Sequence, residues 1–211
     1  MDDTTPLFIL GSSGHAREIA QYARAISRDR PIFFVDEVSE VENSITHGQY
    51  LEALAEGGES VLGSGRMETR RRMLGQMRPP FATIIHPRAT VLGQVSPGCV
   101  VSPGAVIAAN CRLGEHVLVN CNSCLGHDAS VERLSVLSPL CAIGGWVSIE
   151  EEVYIGAGAL IRERLRVGRG SIIGMGAVVT QDVPTGVVAI GIPARFRLPS
   201  EMGRRWLEVQ D

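Results

Sequence analysis

Aliphatic side chains recur at every sixth position from Val95 to Val179. A small or modest side chain stands two positions before each of them, as Cys99 does before Val101, so two residues of every repeat point inward, as strand alternation requires. Most of the aliphatic residues are followed, three positions later, by a residue that tolerates a left-handed backbone. These turn residues are Gly98, Gly104, Asn110, Asn122, Asp128, Gly158, Gly170, Gly176 and Asp182. Short strands and such turns at one fixed period predict a parallel β-helix of hexapeptide repeats.

The residues before the repeat predict a separate α/β region. Leu7 to Leu10 is a short apolar run that ends at a glycine-containing turn, after which apolar residues recur with helical spacing through Ile26. A second apolar run, Ile32 to Val35, and a predicted third strand, Ser60 to Gly63, complete the pattern of a small Rossmann-like sheet. The basic run Arg70-Arg71-Arg72 in the helix that follows is more typical of a solvated helix face than of a phosphate clamp. We therefore predict a Rossmann-like domain at 1–82, a β-helix domain at 83–198 and a C-terminal tail that caps the solenoid at 199–211.

The turn after the first strand and the end of the second strand are candidate binding elements. The turn reads Gly11-Ser12-Ser13-Gly14-His15, and a helix N-terminus behind glycines favours a phosphate group. Only Gly11 and Gly14 match a G-x-x-G, so the full dinucleotide fingerprint is missing. Asp36 ends the second strand, where a carboxylate can accept hydrogen bonds from a sugar or a base. Both features are equally compatible with a plain tight turn and a turn-capping aspartate.

Composition narrows the choice of partners. A net charge of −3 over 211 residues gives no case for a nucleic acid or an acidic membrane as partner. The acidic N-terminus and the lack of a long apolar span predict neither a signal peptide nor a membrane helix, so we expect a cytoplasmic protein. Cys121 and Cys124 form an isolated C-x-x-C, which is weak support for zinc or redox chemistry. His116 and His127 fall on different corners of the coil, so we expect no three-imidazole zinc site.

Three segments together resemble one family. Gly11 to His15 reads G-S-S-G-H, Gly126 to Asp128 reads G-H-D, and Val178 to Arg195 reads V-V-T-Q-D-V-P-T-G-V-V-A-I-G-I-P-A-R. In this order and at these separations they resemble the NeuD/PglD-like sugar acyltransferases over nearly the entire chain. That family comprises sialic acid O-acetyltransferases and nucleotide-amino-sugar N-acetyltransferases. The resemblance implies a left-handed β-helix, a homotrimer, a nucleotide sugar in the Rossmann-like domain, and acetyl-CoA along the solenoid between neighbouring subunits.

The resemblance also implies roles for particular residues. His127 matches the general base, Asp128 the acidic residue that raises its basicity, and Gly145 the backbone N–H that faces the thioester carbonyl. The implied acetyl-CoA contacts are Gly145, Ala157, Gly174 and Met175. The implied contacts to the nucleotide sugar are Ser13, Gly14, His15 and Asp36. No metal site is implied.

The residue types suit this chemistry. Acetyl transfer from a thioester needs a group that takes a proton from the attacking amine or hydroxyl, and histidine does so near neutral pH. In the triangular coil that the resemblance implies, three hexapeptides make a turn of roughly eighteen residues, so Gly145 lies one coil above His127, where its N–H is open to a developing oxyanion. Asp128 stands at a left-handed turn position, where aspartate is also favoured for backbone reasons alone.

We therefore predict an acetyl-CoA-dependent N-acetyltransferase that acts on the 4-amino group of a nucleotide-linked 4-amino-4,6-dideoxy sugar. O-acetylation of a sialic acid or related sugar is the nearest alternative, and a non-catalytic trimer that binds a nucleotide sugar is an alternative of another class. The sequence does not choose among the nucleotides, nor among Arg166, Arg195 and Arg197 as ligands of the CoA phosphates. Four residues near the expected groove depart from the pattern of many relatives: Trp146, Arg162, Glu163 and Arg164.

Overall fold

The computed structural model describes residues 4–38 and 40–201. Most of the predicted C-terminal cap at 199–211 lies outside this range, and the part inside it, Pro199–Glu201, forms a short 3₁₀ turn. The domain boundaries at residues 82 and 198 stay predictions.

The N-terminal region is a four-stranded parallel sheet with helices on both faces. The sheet order is β3-β2-β1-β4. Its strands are β1 (Leu7–Leu10), β2 (Ile32–Val35), β3 (Ser44–Ile45) and β4 (Glu59–Leu62). Its helices are α1 (Gly14–Ile26), α2 (His47–Glu56) and α3 (Met67–Gln76). The fully buried apolar run of β1 lies at the centre, paired with β2 on one side and β4 on the other, which confirms the Rossmann-like prediction.

The rest of the chain is a solenoid of short strands that form three parallel faces. Face 1 consists of β7 (Gln94–Val95), β10 (Arg112–Leu113), β13 (Ser130–Val131), β16 (Ser148–Ile149) and β19 (Arg166–Val167). Face 2 consists of β5 (Ile84–Ile85), β8 (Val100–Val101), β11 (Leu118–Val119), β14 (Val136–Leu137), β17 (Tyr154–Ile155), β20 (Ile172–Ile173) and β22 (Val188–Ile190), closed by antiparallel β23 (Arg195–Arg197). Face 3 consists of β6 (Thr90–Val91), β9 (Val106–Ile107), β12 (Cys124–Leu125), β15 (Ala142–Ile143), β18 (Leu160–Ile161) and β21 (Val178–Val179). The hexapeptide prediction is thereby confirmed.

The turns between faces adopt the predicted left-handed backbone, with one exception. Positive φ recurs every sixth residue from Gly98 to Gly176, and it includes bulky residues such as Leu140 (φ 64°) and Trp146 (φ 57°). Asp182, which the pattern assigned to this set, is not among the residues with positive φ. Its side chain instead accepts a hydrogen bond from the Arg166 N–H at 2.8 Å, because the repeat is ending and Val183 pairs with Val167.

The turns stack into three corners. Corner A, between faces 3 and 1, holds residues 109–110, 127–128, 145–146 and 163–164; corner B, between faces 1 and 2, holds 115–116, 133–134 and 151–152; corner C, between faces 2 and 3, holds 121–122, 139–140 and 157–158. The N-terminal region packs on face 2, where Val100, Leu118 and Val136 share one apolar cluster with β1 and α1. Corner A is therefore the vertex opposite the face that carries the N-terminal region.

A buried arginine also joins the two regions, and this corrects a sequence prediction. Arg70 is 1% exposed, whereas the basic run was expected to be solvated. Its guanidinium donates to the Ser64 carbonyl at 2.8 Å and to the carbonyl of His116 at corner B. Arg71 remains exposed and pairs with Glu152 at 2.8 Å. The run covers one helical turn, so its members face different directions, and one of them enters the junction.

The burial of the His116 imidazole predicts that the stability of the fold depends on pH. This imidazole is buried and packs edge-on against Phe81, with ring centroids 4.6 Å apart. Burial, with smaller effects from the charges of Arg70 and Arg133, lowers the pKa of His116 from 6.5 to about 4. The unfolded chain takes up this proton near pH 6.5, but the folded chain resists it down to about pH 4. The free energy of unfolding should therefore fall as the pH drops through this window, by up to about 3 kcal/mol from this group.

Urea unfolding across that pH range measures the effect. His116→Asn removes the titrating group and keeps a residue that tolerates positive φ, as Asn110 and Asn122 do at equivalent turns. The variant is expected to lose part of its stability at every pH but to show a flatter acid slope. If the free energy of unfolding of the variant fell with pH as steeply as that of the parent chain, the acid dependence would not come from His116.

Candidate active site

Corner A brings together a histidine, a carboxylate and an amide from two coils. His127 Nδ1 lies 2.8 Å from Asp128 Oδ2, and the Asn110 side-chain amide donates to Asp128 Oδ1 at 3.1 Å from one coil below. Because an ionised carboxylate only accepts hydrogen bonds, Nδ1 carries the proton of the neutral imidazole and Nε2 keeps the lone pair. The His127 side chain is 53% exposed, so a substrate can reach Nε2.

Asp128 is held in the ionised state. The hydrogen bond from His127, and then that from Asn110, lower the pKa of the Asp128 carboxyl below its usual value. A charged carboxylate at Nδ1 fixes the tautomer of the imidazole and stabilises the imidazolium that forms when Nε2 takes up a proton.

Asp128→Asn is expected to lower kcat by about tenfold and to leave KM unchanged, because the amide cannot stabilise an imidazolium as a carboxylate does. Asparagine already occupies the same turn position at residues 110 and 122 with positive φ, so the fold should be unaffected. Steady-state kinetics and a thermal melt give both readouts. A kcat equal to that of the parent chain would show that Asp128 serves only the backbone turn and does not contribute to catalysis.

Gly145 keeps the space in front of Nε2 open. A Cβ at Gly145 would lie 3.0 Å from His127 Nε2 and 3.1 Å from Cε1. Pro97, Pro103 and Pro139, which have no N–H, occupy the same position of other repeats, so the solenoid does not need a backbone donor there. The Gly145 N–H is thus available to an oxygen of a bound substrate.

A groove runs along face 3 from this corner. It has a volume of about 350 Å³ and is lined by Ala142, Gly144, Leu160, Arg162, Val178 and Thr180, among others. Face 3 links corner A to corner C, where Ala157 and Met175 lie close together and Met175 is 78% exposed. Gly174 is buried against Ile190, and its missing side chain serves packing. The predicted acetyl-CoA contacts are therefore divided between the two ends of face 3.

The three arginines proposed for the CoA phosphates differ in their positions and contacts. Arg166 is paired with Glu150 on face 1. The guanidinium groups of Arg195 and Arg197 contact only neighbouring backbone carbonyls among the hydrogen bonds of the described chain. Arg162 lines the groove itself, in keeping with its expected place near the groove, although it was not among the arginines proposed for the phosphates.

The N-terminal region carries a second cavity at the carboxyl ends of β1 and β2. It measures about 230 Å³, and its lining includes Gly11, Asp36, Glu37, His47, Arg72 and Gln76. Asp36 accepts from the Ser12 hydroxyl at 2.6 Å and from the Val38 N–H at 3.2 Å, so it lines the cavity and also holds the turn. Sequence reasoning missed His47 and Gln76 and assigned Arg72 to a solvated helix face, because α2 and α3 bring these residues to the cavity only in the folded chain.

The other predicted contacts lie at the start of α1. Gly14 is the first residue of the helix, and a Cβ there would meet nothing within 4 Å. The Ser13 side chain makes no capping hydrogen bond to the helix, so the first N–H groups are left for a ligand. His15 Nδ1 lies 3.3 Å from Glu18, and its buried Nε2 has no hydrogen-bond partner in the described structure. Burial lowers the pKa of His15, which keeps the imidazole neutral.

A third cavity, about 440 Å³ in volume, lies between the start of α3 and face 2. Its lining includes Arg66, Met67, Glu68, Asn120, Ser138 and Tyr154. Within the described ranges no helix is long and apolar enough to span a bilayer, and no three metal-ligating side chains cluster.

Comparison with known proteins finds a matching family model and similar solved structures. Residues 6–77 match the family model described as the PglD N-terminal domain. The acetyltransferase domain of PglB from Neisseria gonorrhoeae FA1090, solved with acetyl coenzyme A, superposes with a TM-score of 0.86 at 29% identity over 92% of this chain and 100% of that chain. Residues 6–77 thus carry a PglD N-terminal domain, and the whole chain is similar in structure to sugar N-acetyltransferases of the hexapeptide left-handed β-helix type. The resemblance seen in the sequence is confirmed, as is the left-handed β-helix fold that it implied.

Other members of this fold are similar over most of the chain. Perosamine N-acetyltransferase from Caulobacter crescentus, solved as a histidine-to-asparagine variant with CoA and GDP-perosamine, has a TM-score of 0.83 at 26% identity over 91% of this chain and 96% of that chain.

Among curated proteins, 2,3,4,5-tetrahydropyridine-2,6-dicarboxylate N-acetyltransferase from Staphylococcus aureus (strain JH9) is 57% identical over 49 residues, which are 23% of this chain. That match spans only 20% of the length of the curated relative.

Proposed function

We propose that this PglD-like protein is an acetyl-CoA-dependent N-acetyltransferase that acts on the 4-amino group of a nucleotide-linked 4-amino-4,6-dideoxy sugar. The observation that carries the proposal is the arrangement at corner A, where His127 Nε2 faces the open space beside Gly145 at the end of the face 3 groove. Solved neighbours that bind acetyl-CoA, or CoA with GDP-perosamine, support both substrates. The cytoplasmic location expected from the sequence is part of this proposal.

The residues of corner A perform each step of the transfer. The sugar amine attacks the thioester carbonyl carbon while His127 Nε2 accepts the proton that the nitrogen loses. The carbonyl oxygen becomes an oxyanion, which the Gly145 N–H stabilises, and Asp128 stabilises the imidazolium. The tetrahedral intermediate then collapses to the amide, the carbon–sulfur bond breaks, and the imidazolium returns its proton to the leaving thiolate.

The fold favours an active site shared between copies of the chain. The cavity that suits a nucleotide belongs to the region packed on face 2, whereas His127 lies at the opposite vertex, corner A. A sugar held in the N-terminal region is thus directed away from the histidine of its own chain. We therefore include a homotrimer in the proposal, with the amino sugar from one copy and His127 from the next.

Thiol release from acetyl-CoA, measured with a panel of acceptors, tests this function. The panel contains UDP-, dTDP-, GDP- and CMP-linked 4-amino sugars, the free amino sugars and sialic acids. Turnover that requires a nucleotide-linked 4-amino sugar is the expected result. Turnover on sialic acids alone would move the chain to O-acetylation, and binding of a sugar nucleotide without any turnover would support the non-catalytic alternative.

A further inference from the structure

An exposed tryptophan stands directly over the candidate base. Trp146 follows Gly145 at corner A, and its ring meets the His127 imidazole edge-on, with centroids 4.2 Å apart and planes at 86°. Its backbone N–H donates to the His127 carbonyl at 3.0 Å, so the two backbones are tied one coil apart. The indole is nevertheless 46% exposed, so it is not part of the core.

An arginine from the next coil covers the same ring. The guanidinium carbon of Arg164 lies 4.2 Å from the centroid of the Trp146 ring, and the Arg164 N–H donates to the Gly145 carbonyl at 2.9 Å. None of the ion pairs in the described structure involves Arg164. Imidazole, indole and guanidinium therefore form one continuous column at corner A.

The fold does not require a tryptophan at position 146. Its φ of 57° is a left-handed conformation that glycine and asparagine adopt easily and that is unfavourable for a bulky side chain. Several other bulky residues in this conformation have structural partners: Leu134 is buried against the N-terminal region, and Glu152 pairs with Arg71. Trp146 contacts instead the two side chains that flank the site.

We propose that Trp146 is a positioning residue for His127. The indole blocks rotation of the imidazole about its Cβ–Cγ bond, so that Nδ1 stays on Asp128 and Nε2 stays directed at the space beside Gly145. Arg164 holds the indole from its other side by a cation–π contact. Without the indole, a half-exposed imidazole samples other orientations, and each of them removes Nε2 from the line of attack. This inference rests on the proposed function for its kinetic consequence but not for the contact itself.

Three variants test the role. Trp146→Asn removes the ring and suits the left-handed turn, so the melting temperature should be unchanged or higher while kcat falls by about tenfold and both KM values stay within about twofold. Trp146→Phe keeps an aromatic edge and should recover most of the lost kcat. Leu140→Asn makes the same exchange at an exposed left-handed turn of corner C and should leave kinetics unaltered.

Nitrogen NMR of ¹⁵N-histidine-labelled protein reports the state of the His127 imidazole independently of enzyme activity. In the parent chain the His127 signals should be those of one fixed tautomer, with the proton on Nδ1. In Trp146→Asn they should move toward the averaged values of a free imidazole, and in Leu140→Asn they should not move. Unchanged ring signals in Trp146→Asn would overturn the proposal, as would a raised KM with an unchanged kcat, which would make Trp146 a substrate contact. If the parent chain turned over no acceptor, the proposed function would fail, and the ring signals would still decide whether Trp146 fixes His127.

Discussion

His127→Ala is expected to lower kcat for acetyl transfer by about 100-fold or more and to leave both KM values within a few-fold of those of the parent chain. The reason is that Nε2 is the basic atom held at the open space beside Gly145, and the variant leaves the attacking nitrogen without a proton acceptor there. The substitution is structurally mild, because Ala109 occupies the equivalent turn position one coil below. The oligomer and the melting temperature should therefore be unchanged.

A second histidine provides the control. His86 lies near the start of the solenoid, where its ring packs against Tyr22 and its Nδ1 accepts from the Arg88 N–H at 3.1 Å. His86→Asn is expected to keep kcat within about twofold, although it removes an imidazole of similar size. Nearly parental turnover by His127→Ala, measured as thiol release, would refute the general-base assignment.

Mixing two inactive variants is expected to restore activity. One variant is His127→Ala, and the other is Gly14→Asp, which places a carboxylate at the start of α1, where a phosphate is expected to bind. Each alone should be nearly inactive at low substrate concentration. If each site takes His127 from one copy and its sugar nucleotide from another, trimers formed by random mixing have both intact parts in roughly a quarter of their sites.

The Gly14 variant is designed to fold. A Cβ at Gly14 meets nothing within 4 Å, its backbone is not left-handed, and an acidic residue in the first turn of a helix is favourable. Gly14→Ala is the matched control, because it fills the same space without charge and should raise KM far less. Co-expressed, co-refolded chains are assayed against a chain that carries both substitutions. Mixtures as inactive as the separate variants would show that each site lies within one chain.

The solenoid was open to prediction because its determinants are local. The aliphatic residue of each repeat and the glycine or asparagine three positions later specify a strand and a turn within six residues, and their repetition sets the stacking. That stacking was enough to place Gly145 one coil above His127, whereas the hydrogen bond from the Asn110 amide to Asp128 emerged only from the structure. The same reasoning failed at Asp182, where the local turn residue is present but the repeat is already ending.

The features that were missed depend on how distant segments meet. Nothing in the run of three arginines indicates that Arg70 is the one whose guanidinium reaches the carbonyl of His116 across the junction. The direction of the Trp146 ring, toward His127 and Arg164, is a matter of side-chain rotamers and not of spacing. The cavity between α3 and face 2 likewise exists only because the N-terminal region packs on the solenoid.

The most direct test of the central claim is mass spectrometry of the sugar nucleotide after incubation of the full chain with acetyl-CoA and a nucleotide-linked 4-amino sugar such as GDP-perosamine. The expected product is heavier by one acetyl group, its fragment ions place the acetyl on the 4-nitrogen, and its amount equals that of the CoA thiol released. A panel of 4-amino sugar nucleotides that all remain unmodified, while acetyl-CoA stays intact or is merely hydrolysed, would contradict it.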